Sequence, residues 1–162
     1  MCGGLRRDRK IYADNRNFVV ERPEHMAQKT IKDYSKKPRV FISFHIDDEA
    51  QVNLLRHQAK NSDQLEFDDR SVKEPFDEKW KTQCEKRIEK CDILIVAIGE
   101  ETHLREAVLW EIRKAHEHGI PVIGMRIYSD ENHKVPAPMI EHGDKVIPWD
   151  LEKIQDELDK KT

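Results

Sequence analysis

An α/β fold built on an open, mostly parallel sheet is predicted by three features of this 162-residue sequence. Short runs rich in β-branched residues alternate with stretches of helical apolar spacing. The links between them are mostly short. The runs are nearly continuous in apolar character, as expected of strands covered on both faces. Such alternation places helices on both sides of a parallel sheet. Five strands in the flavodoxin-like order 2-1-3-4-5 fit the pattern, giving a three-layer sandwich. In that order the first and third strands meet at the switch point, where ligands bind beyond the carboxyl ends of the strands.

The totals describe one domain with an appendage. Charged residues make up 38 % and apolar residues 37 % of the chain, for a net charge of −3. The charge is uneven: residues 1–37 hold ten Lys/Arg against five Asp/Glu, and the remainder holds nineteen against twenty-seven. An N-terminal basic extension at 1–37 therefore precedes an acidic domain at 38–162. The acidic body argues against a nucleic-acid-binding face. The basic leader reads as a solvated tail, or as a contact for an acidic partner or for its own body. Three cysteines without Cys-x-x-Cys spacing, Cys2, Cys84 and Cys91, give no disulfide framework and no zinc site. Reduced thiols and a cytoplasmic location follow. No apolar run approaches the roughly 18–20 residues that span a bilayer. No apolar signal region follows the first arginines, and Cys2 stands where a myristoylated chain needs glycine.

Within the extension, Phe18, Val19 and Val20 form the one apolar cluster, suited to an edge strand or to docking on the body. The domain opens at Pro38 with a strand, RVFISF at 39–44. His45 and Ile46 lead to Asp47 and Asp48, either of which suits the cap of a helix running to about Lys60. Ala50, Leu54, Leu55 and Ala59 supply its apolar spacing. LEF at 65–67 is a weaker second strand, followed by a polar loop at 68–74. Pro75 suits the first turn of the next helix, whose inward stripe is Trp80, Cys84 and Ile88. Residues 92–98 form the third strand, at the sheet centre. A helix at about 104–118 ends at Gly119 in the left-handed conformation. A fourth strand at 121–127, a long loop at 128–144, a short fifth strand at 145–147 and an amphipathic helix at 150–160 complete the chain.

The chemistry centres on residues 100–112, EETHLREAVLWEI, which follow the third strand and its terminal Gly99. At about 100° per residue from Leu104, Glu111 falls near 340°, beside Val108 and Ile112 rather than opposite them. Two accounts of that carboxylate stand. In one it is a border residue that reaches solvent or pairs with Arg105, Arg113 or His116. In the other it sits at the mouth of the switch-point cleft, binding a ribose diol and stabilising positive charge at an anomeric carbon, as an N-glycosidase requires. His45 reads as a phosphate or ribose contact, an acid/base, or a loop residue. Asp68 and Asp69 either face the cleft or hold their loop by Asx-turns. Asp47 and Asp48 invite a receiver-type phosphoryl site, but no acceptor Asp ends the third strand, which leaves helix capping. No Gly-x-Gly-x-x-Gly and no Walker loop is present, against a dinucleotide held in the Rossmann manner. The remaining histidines lack metal-ligand spacing. Trp80 reads as core, and Trp110 lies off the stripe, available to a ligand or a partner.

VFISFH at 40–45, LEFDD at 65–69, CDILIVAIG at 91–99, ETH at 101–103, VLWEI at 108–112 and IPVIG at 120–124 together resemble the TIR-like family, over roughly 38–149. They are nearest its bacterial branch, typified by the TIR subunit of Thoeris anti-phage defence. The resemblance implies cleavage of NAD, as substrate rather than cofactor, at its nicotinamide glycosidic bond. The product would be a nucleotide signal that activates a partner effector, and the enzyme itself is expected to self-assemble. It assigns the catalytic glutamate to Glu111 and substrate contacts to Phe44, His45 and Asp68; Thr102 and Trp110 also fit, and no metal is implied. One departure is Ala107, where many members carry tryptophan one turn before the glutamate. Two other functions fit the same sheet: a non-enzymatic TIR interaction module, and a nucleoside deoxyribosyltransferase-like enzyme. Consumption of NAD separates the first reading from both.

Overall fold

The structure is a computed structural model and describes residues 37–62, 67–69, 71 and 79–161. The expectations for the leader, including the cluster at Phe18, and for Pro75 lie outside the described residues. Among those described, the strands are β1 (Arg39–Ser43), β2 (Asp68–Asp69), β3 (Ile93–Ile98), β4 (Val122–Arg126) and β5 (Lys145–Pro148). The helices are α1 (Glu49–Asn61), α2 (Trp80–Ile88), α3 (Glu106–Glu117), α4 (Ala137–His142) and α5 (Leu151–Lys161). All strand pairings are parallel, in the order β2-β1-β3-β4-β5.

Period-two alternation along the strands builds two cores, one on each face of the sheet. Val40 and Ile42 of β1, with Ile93, Ile95 and Ala97 of β3, join Val52 and Leu55 of α1 and Ile154 and Leu158 of α5. Phe41 of β1 and Leu94, Val96 and Ile98 of β3 point the other way. They meet Cys84 and Ile88 of α2, Val108, Ile112 and Ala115 of α3, and Met139 of α4. β3 is buried at every residue. Burying a side chain of this size is worth about 1.5–3 kcal/mol, so the centre of the sheet is where sequence and fold are most tightly bound. No disulfide joins Cys84 or Cys91, both of which are buried.

Several local expectations need correction. β2 comprises Asp68 and Asp69, opposite Arg39 and Val40, rather than 65–67; Leu65 and Glu66 are outside the described residues. The inward stripe of α1 is Val52 and Leu55, while Leu54 is 51 % exposed. Leu104 is not in the helix at all: Thr102–Leu104 form a 3-10 turn, and Leu104 is exposed before α3 begins. The long loop contains α4, started after Pro136, anchored by buried Met139 and closed by Gly143 at φ 72°. Gly119 does take the left-handed conformation, φ 68°, after α3.

The capping role expected of Asp47 or Asp48 is also overturned. Asp48 occupies the position before α1 but makes no side-chain cap bond. The residue is 6 % exposed, and its carboxylate turns inward. There it accepts bonds from the Tyr128 hydroxyl at 3.1 Å and the Thr102 hydroxyl at 3.4 Å. Thr102 also receives the Gly99 backbone N–H at 2.9 Å. A buried carboxylate requires such partners, and here they come from the segments that follow β3 and β4.

Candidate functional site

Ser43, the last residue of β1, lies on the same face of the sheet as Phe41 by alternation, and that face is covered by α2 and α3. Val108, Glu111, Ile112 and Ala115 recur at the spacing of one helix face. Glu111 is therefore carried inward with the apolar stripe and set against the end of β1. Its Oε2 accepts the Ser43 hydroxyl at 2.5 Å, and its Oε1 accepts the Cys84 thiol at 3.4 Å. The expected border pairs with Arg105, Arg113 or His116 are not what holds it. Arg105 pairs with Glu101, and His116 binds Asp144 at 2.8 Å while stacking on His142.

Burial raises the pKa of Glu111 to about 7, against the opposing pull of the Ser43 and Cys84 hydrogen bonds. Desolvation wins because both donors are neutral and cannot replace the hydration of a full charge. The same burial, together with the adjacent glutamate, pushes the Cys84 thiol far up. Cys84 is therefore a protonated donor rather than a nucleophile. A carboxyl group poised near neutrality in a cleft marks a candidate functional site.

Glu111 opens onto a cavity of about 580 Å³ lined by Phe41, Ile42, Phe44, His45, Ile46, Glu49, Asn53, Arg56, Trp80, Arg105, Glu106, Ala107 and Val108. This volume is ordinary for a small-molecule site. Of the residues predicted from sequence, Phe44, His45 and Glu111 come together on its wall. Asp68 lies in β2, and nothing is described of its side chain. Thr102 is fully buried behind the wall, bound to Gly99, Ala97 and Asp48. Trp110 does not line the cavity; it packs edge-on against Trp80 at 5.3 Å. Trp80, expected in the core, is partly buried and lines the cavity, as Ala107 does. Asp69 holds its own segment, accepting the Ser71 N–H at 2.9 Å and Arg56 Nε at 2.6 Å.

Sequence reasoning missed Ser43, Cys84, Arg56 and Arg105. The serine was recoverable, as a polar residue ending an apolar strand on the Phe41 side. Cys84 was placed on an inward stripe but not next to the glutamate. The arginines carry no local signal. Arg56 stands 5.4 Å over the Phe44 ring and donates to Asp69 and Asn53, yet its Nη2 is buried without an acceptor, as is Arg105 Nε. A buried unpaired donor costs about 1–3 kcal/mol. His45, Asp47 and Glu101 bring ligand atoms within 4.8 Å of one another. Asp47 is 79 % exposed and Glu101 is engaged by Arg105, so no ion is assigned there. No described helix is long and apolar enough to cross a membrane.

Comparison with known proteins bears on the family and the fold. The family model described as Thoeris protein ThsB, TIR-like domain, matches residues 41–132. A search of curated proteins finds no match. Among solved structures, a conserved protein from Enterococcus faecalis V583 is similar at 13 % identity and TM-score 0.51, covering 78 % of this chain and 100 % of its own. The CMP N-glycosidase BcmB of Clostridium botulinum gives 16 % identity, 75 % and 98 % coverage and TM-score 0.47. A 3-dehydroquinate dehydratase-like protein from Bifidobacterium longum gives 13 %, 76 % and 94 %, and 0.40. At these identities the first likeness concerns the fold alone.

Proposed function

The chain belongs to the TIR-like domain family of the Thoeris protein ThsB, and from that premise we propose that it cleaves NAD at the nicotinamide glycosidic bond. The observation that carries this reading is Glu111, a desolvated carboxylate on the wall of a cavity shared with Phe44 and His45. In the proposed reaction the bond from ribose C1′ to the pyridinium nitrogen breaks, and its electron pair goes to that nitrogen. Nicotinamide therefore leaves neutral and needs no acid. Positive charge develops at C1′ and the ring oxygen, where the Glu111 carboxylate stabilises it in a low-dielectric setting. Water, or a nitrogen of the same nucleotide, then adds at C1′. Water passes its proton to Glu111, whose pKa near neutrality suits both roles, whereas a ring nitrogen adds through its lone pair and has no proton to give up.

On this reading the product is a nucleotide signal in bacterial anti-phage defence, passed to a downstream effector. The enzyme is cytoplasmic, takes NAD as substrate with no cofactor, and self-associates. Residues 38–162 form the flavodoxin-like, five-stranded TIR-like domain, and 1–37 its basic extension. Phe44, His45 and Asp68 contact the substrate, with Thr102 and Trp110 in support. One observation favours the non-enzymatic interaction module instead: Ala107 lines the cavity where an aromatic platform is expected. The deciding experiment incubates the full chain with NAD and follows nicotinamide release by mass spectrometry, with Glu111→Gln as control. Release by the unaltered protein alone supports the proposal. Equal release by both removes Glu111 from the mechanism.

A further inference from the structure

We propose that a second cavity, away from Glu111, binds a compact polyphosphate: two or three linked phosphates, free or carried on a nucleotide. This cavity has a volume of about 430 Å³ and is lined by Arg39, Gln83, Lys86, Arg87 and Lys90. None of these residues lines the Glu111 cavity. Arg39 opens β1, whereas Ser43, which holds Glu111, closes it. The two cavities therefore belong to opposite ends of that strand, and the second stands independently of the NAD reading.

The lining is four cations and one neutral amide, in a domain where acids outnumber bases. Two of the cations are held in place. Arg39 gives Nε and Nη2 to the Asp92 carboxylate at 3.1 and 2.6 Å, and Arg87 gives Nη1 to the Ser71 carbonyl at 3.0 Å. Asp92 offsets the charge of Arg39 and leaves Lys86, Arg87 and Lys90 in excess. Lys86 and Lys90 are exposed, and among the described residues neither has an ion-pair partner. Glu85, on the same helix, turns instead to Lys114 and His118. The negative end of the α2 dipole accounts for cations in its last turn. It does not account for Arg39, which meets them from β1, nor for the concave shape. Like charges gathered on one cavity repel, and a bound polyanion removes that repulsion. Lysine brings mobile point charges and arginine a planar fork, both suited to phosphate oxygens. A cavity of this volume is ordinary for a small ligand. Nucleic acid or an anionic membrane calls for a broad basic face, which this acidic domain does not offer.

The test is isothermal titration of the full chain with inorganic triphosphate and with ATP. Both are expected to bind, with affinities that fall as salt rises. ATP no tighter than triphosphate identifies the phosphate chain alone as the ligand; tighter ATP identifies a nucleotide. Lys86→Gln combined with Lys90→Gln should weaken both probes about tenfold or more. Lys60→Gln combined with Lys134→Gln removes the same charge from exposed positions outside both cavities and should leave binding unchanged. Absence of binding by either probe overturns the site, as does a loss in the first lysine pair no greater than in the second. Should the variants fail to fold, amide NMR shifts of the unaltered protein on adding triphosphate locate the anion. Shifts centred on 83–90 support the site. Shifts confined to 44–56 and 105–111 put the anion in the Glu111 cavity and overturn it.

Discussion

Replacing Glu111 by glutamine should stabilise the protein at pH 8 and do little at pH 5. Burial holds the glutamate's pKa at about 7 in the folded chain, against about 4.3 for an unperturbed glutamate. Because the folded pKa is raised, the folded state holds this proton more tightly than the unfolded state does. The associated stability is fully present below the unfolded pKa and is lost as pH rises through the folded one. A shift of roughly 2.5 units corresponds to about 3 kcal/mol lost by pH 8, and less than about 1 kcal/mol by pH 5. Glutamine resembles the protonated acid in shape and keeps an acceptor for the Ser43 hydroxyl, so it escapes this loss. In a chain of this size 1 kcal/mol moves Tm by roughly 2–4 °C. Urea unfolding of both proteins at pH 5 and pH 8 measures the difference directly. A variant destabilised equally at both pH values would show that the carboxylate is comfortably solvated, and the reasoning from burial would fail.

Ser43→Ala removes the 2.5 Å bond to Oε2. Bonds to charged groups are worth about 1.5–3 kcal/mol, so the Glu111 midpoint should rise by roughly 1–2 units; an acid limb of the pH–rate profile that stays put would refute this. Cys84→Ser keeps a donor and should move that limb less than Cys84→Ala does, as read from carboxyl-carbon NMR shifts of labelled glutamate. Gly99→Ala would set a Cβ 2.3 Å from Asp48 Oδ2 and should cost about 1–3 kcal/mol in urea unfolding through displacement of that carboxylate.

The elements legible in the sequence are those fixed by covalent periodicity. The β3 run from Ile93 to Ile98 and the α2 stripe through Cys84 and Ile88 announce burial at two and at three-to-four residue spacing, and both are buried as expected. The α3 pattern put Glu111 beside the apolar stripe but left solvent and cleft both open, and Leu104, the origin used for the angles, lies outside the helix. The buried Val108, Ile112 and Ala115 are what turn this face of α3 toward the sheet. Failures came where tertiary partners decide. Asp48 carries the composition of a cap, yet its partners Thr102 and Tyr128 are 54 and 80 residues away. β2 is two aspartates with no propensity for strand, paired only because β1 offers an edge. The grip on Glu111 joins residues 68 and 27 positions distant, which no local pattern encodes.

The inward carboxylate of Asp48 has a consequence for how this sequence can drift. One acid meets the hydroxyl of Thr102 and that of Tyr128, and leaves no room for a side chain at position 99. These four positions thus obey a single steric and valence rule, though they lie on three separate loops. Removing the acid takes the Tyr128 hydroxyl's partner and leaves Thr102 only its bonds with Ala97 and Gly99, and adding a methyl group at 99 evicts the acid. Substitutions there are expected to survive as matched sets, and a designer regrafting any one of these loops must carry its counterpart residues along.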